Sequence, residues 1–215
     1  MGGGLHSPAM DDAWLVDGPK RAKRTVVLAH GAGAAMDTPF MNFFAEGLAA
    51  RGLQVVRFEF PYMAKRRTTG TRGGPDRAPV LMQTWRDVVA ALGEPGRIVI
   101  GGKSMGGRYA TMMADELGVG GVFALGYPFH APGRPDKPRV DHLKTLKTPC
   151  LIAQGTRDSM GNEEEVPGYG LPGRIRVHWL GDGDHSLKPR KKSGRTLEQN
   201  LGEALEVLEA FVAGV

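Results

Sequence analysis

Short apolar, β-branched runs recur along the chain, separated by stretches of a different period. The runs are Thr25–His30, Gln54–Phe60, Arg97–Ile100, Gly121–Leu125, Cys150–Gln154 and Ile175–Leu180. Most are apolar at successive positions rather than alternate ones, which predicts strands buried on both faces, as in a parallel sheet. Between them, Pro39–Arg51 gathers Phe40, Phe43, Phe44 and Leu48 on one stripe, and Gly52 follows. Val80–Leu92 does the same with Leu81, Trp85, Val88, Val89 and Leu92, and Met105–Leu117 runs up to Gly118. Thr196–Val212 repeats Leu197, Leu201, Leu205, Leu208 and Phe211 at helical spacing. Steps of three and four residues place each set on one helix face, and a glycine closes two of these helices.

Strands alternating with helices predict an α/β fold: a mostly parallel central sheet of about six or seven strands, with helices on both faces. We find no repeat and no linker. Residues 13–215 are therefore expected to form a single domain behind a flexible leader, residues 1–12. In such sheets a ligand sits beyond the C-terminal ends of the strands, near a switch in strand order. Loops that follow strands are thus where chemistry is sought. The polar, basic segment Ala64–Pro79 follows the second strand and reads as a surface loop or a flap beside such a site.

Composition narrows the class. Of 215 residues, 41% are hydrophobic and 24% charged, so the chain can bury a sizeable core. The single cysteine, Cys150, forms no internal disulfide and suits a reducing compartment, so a cytoplasmic location is expected. No apolar run approaches the ~18 residues of a membrane span, and no membrane partner is expected. Gly2 is present, but His6 stands where N-myristoylation requires Ser or Thr. The net charge is +5. The basic clusters Lys65-Arg66-Arg67 and Lys188 to Arg195 lack the interleaved aromatics of a base-stacking surface, so they read as solvated loops and no nucleic acid is expected.

The segment from Arg97 to Gly107 runs from a strand into a helix, and Gly102-Lys103-Ser104-Met105-Gly106 within it fits G-x-S-x-G. This pattern answers a steric demand. The turn that lifts the serine Oγ above the sheet edge is so tight that side chains two residues either way would collide. Gly-Lys-Ser also hints at a phosphate loop, but Arg97 occupies the place of its first glycine, and the strand leaves no room for a cradle.

A hydroxyl needs a base, and the base needs an orienting carboxylate. Asp158 lies just past the fifth expected strand and His185 just past the sixth, in the order Ser–Asp–His and on the sheet edge of Ser104. His6, His30, His130 and His142 fall in the leader or in the wrong order, and His178 lies inside a strand. Asp182 and Asp184 read as turn-formers holding the His185 loop. The loop His30-Gly31-Ala32-Gly33 follows the first strand, where the amide of Ala32 could pair with that of Met105 as an oxyanion hole. Gly31-Ala32-Gly33, with Glu59 ending the next strand, also opens a dinucleotide fingerprint, but Met36 fills the third glycine position.

On these residues the chain resembles the α/β-hydrolase superfamily, from about residue 24 to the end. In detail it looks like the small, capless, dienelactone-hydrolase-like group of predicted hydrolases. Tyr127–Gly133, Gln154–Asp158 and the lysine inside the elbow carry the narrower likeness. The resemblance implies a serine hydrolase cleaving an ester or thioester through an acyl-enzyme, with Ser104 as nucleophile, His185 as base and Asp158 as its orienter. It implies no metal and no organic cofactor. Pro128 to Pro149 is too short for a large helical cap, so the cleft should be open. Gly33, Met63, Phe129, His130 and Met160 are the expected substrate-binding residues, with Arg66, Arg67 and Arg72 favouring an anionic small-molecule acyl substrate. A monomer or homodimer is expected. Larger relatives look like scaffolding subunits, so the alternative is a non-catalytic interaction protein with the same fold.

Overall fold

A computed structural model describes residues 13–71 and 73–215. The leader expected over residues 1–12, with His6, and the side chain of Arg72 lie outside the described residues. Seven strands form one sheet: β1 (Leu15–Asp17), β2 (Thr25–Ala29), β3 (Gln54–Phe58), β4 (Ile98–Lys103), β5 (Gly121–Leu125), β6 (Cys150–Gly155) and β7 (Ile175–Leu180). Among the described residues six α-helices accompany them: α1 (Pro39–Ala49), α2 (Pro61–Thr69), α3 (Ala78–Leu92), α4 (Met105–Leu117), α5 (Asp141–Thr145) and α6 (Leu197–Gly214). The sheet order is β1-β3-β2-β4-β5-β6-β7, parallel throughout except for β1 against β3. The expected α/β architecture, its parallel sheet and its lack of a large cap are all present; α5 is the only α-helix between β5 and β6 among the described residues.

The two-faced apolar runs explain the layering. Along β2, Val27 and Ala29 join one core with Trp85 of α3 and Met113 of α4. Val26 and Leu28 join another with Phe44 of α1 and Leu208 of α6. Residues on both faces of the central strands are thus buried, which holds the sheet between two helical layers. Phe58, Phe60 and Trp85 interlock edge to face, with Phe58 and Trp85 centroids 5.0 Å apart. Helix α6 starts on a reciprocal capping box in which Gln199 N donates to Thr196 Oγ1 and Thr196 N donates to Gln199 Oε1.

Strand order reverses at β2. The chain steps outward to β3, then returns to place β4 on the other side of β2. The loops leaving β2 and β4 therefore diverge and open a crevice.

Three elements escape the sequence pattern. Strand β1 is three residues long, too short for a period, and is anchored by Arg57, whose Nη2 donates to Asp17 Oδ2 at 2.8 Å. Helix α2 corrects the reading of Ala64–Pro79 as loop throughout. It starts on Pro61, buries little besides Tyr62 and Met63, and is held by Arg67, which bridges Asp37 and Glu59. Helix α5 is one turn. Tertiary contacts, not amphipathic period, hold all three.

Trp85→Ala should remove the centre of the aromatic cluster and cost about 3–5 kcal/mol, read as a lower urea midpoint with an unchanged slope.

Candidate active site

The elbow is built as its glycines demand. Ser104 has φ 50° and ψ −111°, a conformation rarely adopted by a residue with a side chain. A Cβ on Gly102 would lie 2.2 Å from the Ala29 carbonyl oxygen, and one on Gly106 would lie 2.6 Å from those of Ala29 and His30. Strands β2 and β4 approach so closely here that only backbone fits between them. The strain at Ser104 persists because β4 on one side and α4 on the other leave it no alternative.

Three remote side chains meet above this turn. His185 Nε2 lies 2.8 Å from Ser104 Oγ, and His185 Nδ1 lies 2.7 Å from Asp158 Oδ2. A carboxylate only accepts, so Nδ1 carries the proton, and in the neutral ring Nε2 is the acceptor facing the Ser104 hydroxyl. Asp158 is completely buried. Its Oδ2 also accepts from Gln154 Nε2 at 2.9 Å, and its Oδ1 accepts from Met160 N at 2.8 Å. Gln154, at the end of β6, locks the β5 and β6 loops together, since its Oε1 accepts from Tyr127 N at 2.7 Å. A polar residue closing an apolar strand was the sequence signal for this role.

The His185 loop is a set of short turns. Asp184 Oδ1 accepts from Ser186 N at 2.8 Å and Lys188 N at 3.0 Å. Asp182, at φ 54°, accepts from Arg190 N at 2.7 Å. Lys103, inside the elbow, donates from Nζ to the His185 carbonyl and lies 5.5 Å from the Phe40 ring centroid. Burial pulls its ammonium from 10.5 down to about 8. This tether between nucleophile turn and base loop is not evident from the sequence.

The loop after β2 is held by its histidine. His30 Nε2 accepts from Phe60 N at 3.1 Å, so Nδ1 carries the proton and donates to Gly31 O at 2.7 Å. Burial holds the ring below its ordinary 6.5, which keeps it in this neutral tautomer. Tyr62 adds a hydrogen bond from its hydroxyl to Ala32 O at 2.9 Å. Ala32, Ser104 and Met105 line one cleft of about 450 Å³ with Met160, Arg108 and Arg139. Met105 is the first residue of α4, so its amide is one of the unpaired donors of the helix start.

The remaining expected binding residues are dispersed. Phe129 is wholly buried between Tyr127 and Tyr169, and His130 is 2% exposed with Nδ1 on Ala131 O, so both are packing residues and not cleft walls, a correction to the sequence reading. Met63 and Gly33 border a separate hollow with Arg66 and Arg67, and Met63 is itself buried beneath α2. Arg67 is spent on Asp37 and Glu59 and is not free for a substrate. His178 pairs with Glu203 on the surface of β7. A larger cavity, about 790 Å³, adjoins Lys103 between Phe40, Phe43, Leu197 and Leu201, but Ser104 does not open into it.

Comparison with known proteins agrees with this architecture. Residues 22–213 match the family described as Alpha/beta hydrolase domain. Among solved structures, an alpha-beta serine hydrolase homologue from Coxiella burnetii superposes with a TM-score of 0.67 at 19% identity, covering 94% of this chain and 90% of that one. A serine hydrolase without lid from Xanthomonas campestris gives 0.65 at 20% identity, covering 90% and 85%. A dienelactone hydrolase from Anabaena variabilis gives 0.66 at 19% identity, covering 94% and 90%. At such identities the likeness to each structure is one of fold.

Gly102→Ala should drive a methyl into the Ala29 carbonyl and cost at least about 2 kcal/mol, read as a fall in Tm. Acid should destabilise the protein through His30. Unfolded, the ring takes up a proton as pH falls through about 6.5; folded, it resists. The unfolded state therefore binds more protons, and stability declines with falling pH. A His30→Asn variant should show a shallower decline in urea midpoint over the same interval.

Proposed function

The chain belongs to the alpha/beta hydrolase domain family, and from that premise we propose that it is a serine hydrolase cleaving a carboxylic ester or thioester of a small molecule. One observation carries this reading: the unbroken hydrogen-bonded line from buried Asp158 through His185 to the strained Ser104. A framework that spends backbone strain and a buried carboxylate on one half-buried hydroxyl at the cleft is arranged to make that hydroxyl react.

In the proposed reaction Ser104 Oγ attacks the acyl carbon while His185 Nε2 takes its proton. Asp158 holds the Nδ1–H tautomer and stabilises the imidazolium as it forms. The amides of Ala32 and Met105 receive the charge that develops on the carbonyl oxygen, each worth about 3 kcal/mol of barrier. His185 then returns its proton to the leaving alcohol or thiol, and the acyl group remains on Ser104. Water, deprotonated by the same imidazole, attacks the acyl-enzyme and releases the acid. Lys103 is a positioning residue, holding the His185 backbone against the elbow. No large helical cap covers the cleft among the described residues. The cytoplasm, where a lone thiol stays reduced, is the proposed location, with the protein acting as monomer or homodimer.

A fluorophosphonate probe should label Ser104, and Ser104→Ala should reduce p-nitrophenyl acetate turnover by at least about 10³-fold. A folded protein that does not label would instead be a non-catalytic relative. Turnover should fall above about pH 8 as Lys103 loses its charge, and Lys103→Met should remove that alkaline limb from the rate profile.

A further inference from the structure

The cleft in front of Ser104 holds two arginines that the proposed bond-breaking steps do not use. Arg108 follows Ser104 by one helical turn, its amide donating to Ser104 O at 2.9 Å, so both stand on one side of α4. Arg139 arrives from the segment before α5 and lines the same cleft. Its backbone is pinned at both ends, with N–H on Phe129 O at 2.6 Å and its carbonyl accepting from Tyr127 Oη at 2.8 Å.

Several arginines elsewhere are ion-paired, as Arg57 is with Asp17 and Arg86 with Glu116. Arg108 and Arg139 have no acidic partner among the described residues. Arg108 Nε is buried with no acceptor at all, an arrangement that ordinarily costs about 1–3 kcal/mol or more. The Arg108 guanidinium is braced 5.1 Å from the Tyr109 ring centroid, and so is held rather than free to swing into solvent. The acid on the cleft wall, Asp76, is engaged by the amide of Tyr62 at 2.8 Å. His142, hydrogen-bonded to Thr111 Oγ1 nearby, is held down to about 4 by burial and by the Arg108 charge, so near neutrality it is an uncharged neighbour. Two guanidinium groups thus line the cleft against one carboxylate, which leaves an excess of positive charge there.

We propose that Arg108 and Arg139 form an anion-binding subsite, so that the esters cleaved carry a second, oxygen-bearing anionic group a few bonds from the scissile carbonyl. Planar guanidinium forks match the paired oxygens of a carboxylate or a phosphoryl group. The cleft of about 450 Å³ is large enough for a short diacid monoester. The subsite names the substrate class of the serine hydrolase proposed above and rests on that reading.

The test compares three p-nitrophenyl esters of equal chain length: the monoester of glutarate, its methyl-capped neutral counterpart and a phosphonate-ended counterpart. Rates are counted per Ser104 titrated with a fluorophosphonate, so that unfolded material drops out. An anionic ester should exceed the neutral one in kcat/KM by at least about 100-fold, because the neutral ester leaves the guanidinium donors unpaired. The better of the two anionic esters identifies the group as carboxylate or phosphoryl. Arg139→Gln and Arg108→Gln should each cut the anionic-to-neutral ratio at least tenfold, and Arg139→Lys should restore part of it. A ratio near one in the native protein, or a ratio unmoved in both glutamine variants, overturns the subsite while Ser104 labelling leaves the hydrolase reading in place. No labelling and no turnover of any ester overturns both.

Discussion

The tightest constraint in this molecule is the contact between the end of β2 and the turn leaving β4. Backbone meets backbone there, with no space for even a methyl group at Gly102 or Gly106. The approach forces Ser104 into a positive φ and lifts its side chain off the sheet. The rest of the site follows from it. Helix α4 must start at Met105, which leaves that amide unpaired, and the loop after β2 must pass directly beside the hydroxyl.

Local strain of this kind survives only where the surroundings over-determine it. Here they do so in layers. The parallel sheet is buried on both faces, and the Phe58–Phe60–Trp85 cluster braces β3 against α3. His30 ties the loop after β2 to Phe60, and Gln154 ties the loop after β6 to Tyr127. Lys103 then joins the elbow to the carbonyl of His185. Each tie places a polar group in a poorly solvated position and satisfies it there by hydrogen bonding, which makes the geometry specific as well as stable. The whole arrangement links six separate strand ends through side chains rather than through a continuous element.

Electrostatics divides the same crevice. Asp158 is buried behind His185, whereas Arg108 and Arg139 stand in front of Ser104. Negative charge therefore supports the imidazole from the rear, and positive charge faces incoming ligand. The +5 net charge of the chain does not by itself produce this, because arginines such as Arg67 and Arg190 are consumed in ion pairs on the surface.

The amino-acid sequence determined the six principal strands, the four long helices and the elbow, because each rests on local physics: two-faced burial, helical period and the collision that only glycine avoids. It also singled out Asp158 and His185, since residues just past parallel strands must share one edge. Tertiary structure alone decided the rest. Phe129 and His130 look like cleft residues in a loop, yet the fold buries both, Phe129 against Tyr127 and Tyr169 and His130 on Ala131 O and Glu165. Helix α2 has no apolar stripe to announce it, because distant carboxylates on Asp37 and Glu59 hold it in place. Lys103, Arg108 and Arg139 carry ordinary charges in the sequence. What sets them apart is burial and whether a partner lies within reach, and those are properties of three-dimensional packing that no local pattern encodes.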